Sequence, residues 1–492
     1  MTMLITPASS SQPEFPQLPT PKRPQPKSIF ITIIGIVCVA ALLWAPSALD
    51  GAARLTLAVF VAAVFLWVFS KVPDTYVALG AACLLVILGI INVDKFFQPL
   101  GDETTWLLIG AFVIAAAVTK TGLAPRATAW LCSGVKSPRA LVHLLTLAIV
   151  CTAFMIPATS GRAALILPVF LAIVPVLKNT HNWLIVTLSI VLPSVVLLSA
   201  VASFIGAGAH LITAQILEES GFGTITFTQW MLYGLPLAIV ASHISAEVIY
   251  LATSNRKQRK STLSISEYDF PPQPARSLQE SRTLIVLGIA IALWLSESLH
   301  QIPPALVAVI CALLITSPRF GAVELNEAIK KVPWSLLLFM TATVAISHAL
   351  KESGAAEIMA HAIFGRLPTG SAAQWAFILA VIAISSAAHL LIQSRSARSA
   401  VLIPIVISLA LPLELNPVAV AFISTAASGF CHTLPSSAKP LVIFYSENNE
   451  EFPSFTQSQL MRISFILFPF HIATIALFAF WIWPLMGLHL TP

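Results

Sequence analysis

The chain has 492 residues and a formal net charge of +6; 57% of it is hydrophobic and only 10% charged, against about 25% charged in a soluble domain. The scarcity of charge runs along almost the whole length, which excludes a soluble domain carrying one anchor, and no basic stripe with interleaved aromatics points to nucleic acid; in a membrane chain a positive excess reflects basic cytoplasmic loops. The six cysteines (Cys38, Cys83, Cys132, Cys151, Cys311, Cys431) are scattered with no C-x-x-C pair, so neither a metal site nor a disulfide framework is expected.

Residues 1–28, rich in Pro, Ser and Gln, read as a disordered cytoplasmic tail. The apolar run 29–45 follows Lys22, Arg23 and Lys27 as a signal peptide would. It lacks a small-residue cleavage site before the next span, so it reads as a retained helix. A bilayer core needs about 20 apolar residues per helix. Spans are expected at 29–45, 55–69, 76–91, 106–118, 230–251, 284–295, 334–350 and 463–485, with a weaker one at 305–315. Four other apolar regions are interrupted: 141–177 near Pro157–Arg162, 183–217 near Ser203–His210, 375–411 near Gln393–Arg398, and 418–446 near Thr433–Pro440. Interruptions are costly in lipid and persist where they line a cavity or are buried in protein. Paired broken segments in two halves point to a transporter binding site.

The halves align. Ser160-Gly-Arg162-Ala-Ala-Leu-Ile-Leu-Pro168 matches Ser396-Ala-Arg398-Ser-Ala-Val-Leu-Ile-Pro404 without gaps, 236 positions apart. Trp106 and Trp334 lie 228 apart, and Ser203 and Thr433, each opening a break, 230. The basic residues of the loops place the tail inside, with Lys120, Arg139, Lys178, Arg256, Arg259, Lys330 and Arg462 cytoplasmic. The segment 141–177 must then enter and leave from the cytoplasm as a re-entrant hairpin. Five crossings separate it from 375–411, so the second hairpin enters from outside and the repeat is inverted. The expectation is an all-α polytopic membrane protein of about eleven spans. Its first half covers 29–252, a cytoplasmic linker 253–283, and its second half 284–492, each half holding one hairpin and one broken transmembrane helix.

Both tips, Pro157-Ala-Thr159-Ser160-Gly161-Arg162 and Gln393-Ser394-Arg395-Ser396-Ala-Arg398, precede a helical run. A helix N-terminus offers unpaired N–H groups and a positive dipole end to an anion. Arg162, Arg395, Arg398 and Lys439 lie at or near the breaks, while no Asp or Glu occurs between Arg139 and Glu218 or between Glu357 and Glu414. Cations at membrane depth are expensive and usually functional, and Arg matches a carboxylate in bidentate fashion. An anionic substrate is the simplest partner; snorkelling, or pairing with the carbonyl ends of broken helices, is the bland alternative. The breaks themselves, Ser203-Phe-Ile-Gly206-Ala-Gly208-Ala-His210 and Thr433-Leu-Pro435-Ser436-Ser437-Ala-Lys439-Pro440, read as unwound turns. Gly206 and Gly208 serve ligand approach or packing, and His210 proton coupling or structure. Phosphate-binding loops, H-E-x-x-H and G-x-S-x-G are absent, so no enzyme, cofactor or metal is expected.

At these residues the chain resembles the divalent anion/sodium symporter family, dicarboxylate/citrate transporter-like within the ion transporter superfamily. That family carries Ser-Asn-Thr at each tip, ten residues before the proline of a Leu-Pro; the matching positions are Ala158-Thr159-Ser160 and Ser394-Arg395-Ser396. Its unwound motifs resemble Ser203–His210 and Leu434–Pro440. The resemblance implies a homodimeric secondary transporter of small organic anions, with elevator-type alternating access in a bacterial plasma membrane. It implies substrate contacts at Ser160, Ser394 and Ser396, with Thr159, Ser436 and Ser437 as further hydroxyl candidates. In the family the tip Asn residues help bind sodium. Thr159 and Arg395 stand there instead, and a close Arg repels sodium, so sodium-independent exchange or proton coupling is expected. A sodium-coupled dicarboxylate or sulfate symporter is the alternative; an anion channel or membrane-embedded enzyme is another class.

Overall fold

The computed structural model of the protein describes residues 50–121, 134–178, 180–263, 265, 276–356, 358, 370–445 and 454–491. The tail, the first expected span 29–45 and part of the linker lie outside them. The described residues form helices only. Ten helical stretches among them are long and apolar enough to cross a membrane, at about 1.5 Å of rise per residue.

In chain order the principal helices are α1 (Gly51–Phe69), α2 (Asp74–Ile87), α3 (Glu103–Lys120), α4 (Pro138–Cys151), α5 (Thr159–Leu177), α6 (Asn182–Leu198), α7 (Gly208–Glu219) and α8 (Phe227–Thr253). They continue with α9 (Leu278–Leu295), α10 (Pro304–Ile315), α11 (Trp334–Glu352), α12 (Ser371–Ala387), α13 (Arg395–Ala410), α14 (Pro417–Ala427), α15 (Lys439–Phe444) and α16 (Gln457–Leu477). The same order appears twice: a span, a pair of helices across a polar turn, a helix broken in two, and a long closing helix. The closing helices α8 and α16 even start alike. Thr226 and Gln229, and again Thr456 and Gln459, form reciprocal capping boxes that satisfy the first orphan N–H groups.

Two apolar clusters hold the molecule together. The larger one gathers α1, α2, α3, α7 and α10 to α14. Close backbone approach tightens it: a Cβ on Gly110 of α3 would stand 2.7 Å from the Ala308 backbone of α10, the small-residue contact typical of helix pairs in lipid. The smaller cluster gathers α4, α5, α6, α15 and the start of α16 around Phe170, Phe444 and Phe430. The breaks fall along the seam, with Val201 to Ile205 in the first cluster and Phe430 and Cys431 in the second. Each broken helix crosses over. Its second piece, α7 or α15, packs on the far half's α13 or α5 respectively.

Boundaries differ from expectation in an instructive way. The polar turns are shorter than the sequence suggests, because the helices after them begin early, at Thr159 and Arg395. Arg162 and Arg398 therefore sit inside the first helical turn rather than in the break. The second break opens earlier than Thr433: α14 ends at Ala427, and helix resumes only with the 3-10 turn Pro435–Ser437.

Candidate functional site

Each turn is shaped by its own chemistry. In the first, Ala158 takes φ of 74° just before α5, a left-handed conformation that costs a non-glycine residue energy. In the second, the Ser394 hydroxyl caps α13 by accepting from the Ala397 amide at 3.2 Å. Pro168 and Pro404 sit inside α5 and α13 at matched positions.

Arg162 is fully buried. Its Nε donates to Thr152 Oγ1 (3.0 Å), one terminal nitrogen to the Val196 carbonyl (3.0 Å), and the other to the Ile149 carbonyl (2.8 Å) and Ser199 Oγ (2.6 Å). Arg398, equally buried, donates to the carbonyls of Ile392 (3.2 Å) and Ser428 (3.0 Å) and to Cys431 Sγ (2.7 Å). Val196 and Ser428 lie 232 positions apart, and so do Ser199 and Cys431. Each arginine thus ties its own turn to the ragged C-terminal end of its own half's broken helix, where orphan carbonyls gather. The duplication extends to individual hydrogen bonds.

Arg395 is placed differently. It is partly buried. One terminal nitrogen reaches the Leu197 carbonyl at 3.4 Å and the other His210 Nε2 at 3.3 Å. Its Nε is buried without a partner. A Cβ on Gly429, in the second break, would be 3.2 Å from the same guanidinium. Arg395 therefore stands between both breaks, and the adjacent carbonyls of Val196 and Leu197 receive one arginine from each half. His210 is buried, stacked on Trp230 at 4.8 Å, with Nδ1 against the Ser203 carbonyl at 3.0 Å. A carbonyl only accepts and a guanidinium only donates, so His210 is held as the Nδ1–H tautomer with both nitrogens engaged.

The two glycines divide. A Cβ on Gly206 would lie 2.1 Å from the Ala200 carbonyl oxygen, so this glycine lets the break fold on itself. One on Gly208 would meet the Leu336 side chain at 2.7 Å and Ser396 Oγ at 3.2 Å, so Gly208 faces the second tip. Thr159, Ser160, Ser394 and Ser396 are half-buried at the two turns, Ser436 and Lys439 are exposed, and Ser437 is buried, its hydroxyl accepting from the Leu434 amide at 3.0 Å. The sequence reading missed one charge here. Asp74, opening α2, stands beside the Ser394 side chain and within electrostatic reach of Lys439. It lies over three hundred positions away in the chain, and nothing near it in the sequence signals the contact.

Residues 64–427 match the family described as citrate transporter. The chain belongs to this family. Its members are carriers of di- and tricarboxylates, not enzymes, and the chain is an integral membrane transporter. It is 23% identical over 483 residues to an uncharacterized transporter of Haemophilus influenzae, covering 93% of this chain and 97% of that one. It is 22% identical to the sodium-dependent dicarboxylate transporter SdcS of Staphylococcus saprophyticus, covering 79% and 80%. The fold is similar to the crystal structure of the Alcanivorax borkumensis YdaH transporter, with a TM-score of 0.53 at 15% identity, covering 94% of this chain and 98% of that one.

Proposed function

We propose that this member of the citrate transporter family carries a small di- or tricarboxylate across a bacterial inner membrane without sodium, by exchange or with protons. The observation that carries the reading is Arg395. It comes from one tip, stands between both breaks, and has a buried nitrogen with no partner in the protein. A carboxylate accepts two parallel bonds from such a fork. The same guanidinium stands where the related symporters use an Asn for sodium, and at close range it repels a cation.

The other residues take graded roles in this proposal. Ser394, Ser396, Thr159, Ser160 and Ser436 supply hydroxyl donors and Lys439 a more distant charge shared with Asp74. Gly208 keeps the approach to Ser396 open. Arg162, Ser437, Gly206 and His210 position the frame, because their polar groups or their space are already committed within the protein. Arg398 joins them through its two terminal nitrogens, although its Nε, like that of Arg395, is buried without a partner. The two halves are oppositely oriented with the tail cytoplasmic, the two helix pairs are re-entrant, and the chain works as a homodimer that moves its site in elevator fashion.

The test is uptake of labelled succinate or citrate into proteoliposomes made with and without sodium. Equal uptake in both is expected, and Arg395→Gln should weaken substrate affinity about 100-fold, roughly 2.7 kcal/mol, the scale of a lost charge-assisted bond. Uptake that needs an inward sodium gradient would instead favour the coupling named for the Staphylococcus relative.

A further inference from the structure

The second break holds a group of imidazoles that these substrate contacts do not use. His389 after α12, His432 in the break and His471 in α16 surround the Phe430 ring, at centroid distances of 5.6, 4.8 and 5.2 Å. All three are buried. Their hydrogen bonds leave them unequal. His389 Nδ1 faces the Ser386 carbonyl at 2.8 Å, and its Nε2 faces Thr433 Oγ1, also at 2.8 Å; that hydroxyl is 2.9 Å from Ser464 Oγ. His432 accepts the Cys431 amide at Nδ1 (3.3 Å), so its Nε2 carries the hydrogen and is buried without a hydrogen-bond partner.

His471 differs from both in that its free nitrogen is one with a lone pair. Its Nε2 lies 3.0 Å from the Ala427 carbonyl, which can only accept, so Nε2 carries the hydrogen and Nδ1 the lone pair. That Nδ1 is buried with no hydrogen-bond partner. Ala427 is the last residue of α14, so the negative end of a helix already faces this ring and favours a positive charge on it. Beside the ring is a cavity of about 10 Å³ lined by Leu198, Ser245, Phe430 and His471 among others, close to the space one water needs. Ser245 Oγ, on its wall, is also buried without a partner.

The charges around this ring set the coupling. Arg395 acts on His471, and Arg398 on His389; His389 and His432 are the other titratable neighbours. Helices α12 and α14 contain no titratable side chain. Helix α8 offers Ala241, Ile244 and Ser245 to the cavity, while its His243 and Glu247 are turned to His143 of α4. No carboxylate is among these neighbours. With Arg395 bare, a proton on His471 meets like charge. With an anion seated on Arg395, the same proton meets charge that is neutralised or reversed.

We propose that His471 Nδ1 is the proton-binding site of the transport cycle, loaded when a carboxylate substrate occupies Arg395 and emptied when the substrate leaves. The step is the capture of one proton by the free lone pair, with no other bond broken. By linkage, substrate tightens proton binding and protonation tightens substrate binding by the same factor. This rests on the reading of Arg395 as the anion contact.

Purified full-length protein in weakly buffered, sodium-free detergent solution, at a pH well above succinate's own ionisations, is titrated with succinate while a dye reports pH and a thermal shift reports binding. Wild type should take up about one proton per chain at saturation. H471Q, whose amide keeps the donor to Ala427, should bind succinate and take up none. H471Q with intact binding and wild-type proton uptake overturns the proposal, as does wild-type binding without uptake. No succinate binding by wild type removes the Arg395 reading, and this one with it. A second measurement needs no variant. In protein labelled with ¹⁵N-histidine, succinate should remove one lone-pair imidazole signal, and an unchanged set of signals overturns the assignment.

Discussion

The first turns of α5 and α13 carry an arginine at the same place and give its terminal nitrogens matching acceptors at the end of a broken helix, yet they differ three residues earlier, where one has Thr159 and the other Arg395. Arg162 and Arg398 each bind a carbonyl at the C-terminal end of the first piece of a broken helix, Val196 or Ser428, and a side chain three residues on, Ser199 or Cys431. That shared pattern is the frame. Thr159 and Arg395 have no such equivalence, and Arg395 alone reaches across to the other half's break. Duplication therefore marks what holds the helices, and departure from duplication marks where chemistry has room to specialise.

The comparison is broken most forcefully at the two buried arginines. Arg162→Met would leave the Ile149 and Val196 carbonyls and two hydroxyls without their charged donor. Each lost buried bond of this kind costs about 1–3 kcal/mol with partial compensation from neighbouring donors, so a total near 2–5 kcal/mol is expected. Arg398→Met should cost less, because one of its three bonds goes to a cysteine sulfur, a weak acceptor. Melting curves in detergent check the order. If Arg398→Met melts with the wild type while succinate binding disappears, Arg398 belongs to the anion and not to the frame.

That contrast also shows what was legible beforehand. The matched Ser-x-Arg runs and their prolines disclosed the duplicated segments, since hydrophobic patterning and helix breakers are local signals. The capping boxes at Thr226 and Thr456 were equally readable, 230 positions apart, and add to the same alignment. The roles of the arginines were not readable. Their acceptors are mostly backbone carbonyls, which every residue owns, so no side-chain pattern announces them. Asp74 beside Ser394, and His471 beside Phe430, come from distant stretches whose meeting only packing decides. Even His210, flagged by its place in a break, has both nitrogens committed, whereas the free lone pair belongs to a histidine in an unbroken helix.

The two glycines of the first break sharpen the same distinction at smaller scale. Gly206→Ala sets a methyl 2.1 Å from a backbone oxygen, which no rotamer change relieves, and the expected result is loss of folded protein. Gly208→Ala meets only side-chain ends of Leu336 and Ser396. It should fold, and lower succinate affinity about tenfold, or 1.4 kcal/mol, by crowding the second tip. Equal effects in the two variants would mean that both glycines serve packing alone.

The smallest effect is expected far from the breaks, where charges are paired at the surface. Glu327, in the short helix Leu325–Lys330, meets Lys120 at the end of α3 at 2.5 Å and Lys331 at 3.4 Å. The Lys120 hydrogen bond holds its carboxyl below the ordinary value of 4.5. A folded-state value that is depressed contributes stability above the unfolded value and loses it as pH falls through the folded one. Glu327→Gln should therefore lower the melting temperature slightly at neutral pH, by an amount that salt reduces. The variant and wild type should converge once the pH is below the lowered folded value. All three side chains are substantially exposed, so water already does most of what the lysines do. The buried arginines have no such substitute, which is why the same kind of bond decides the fold at Arg162 and barely registers at Glu327.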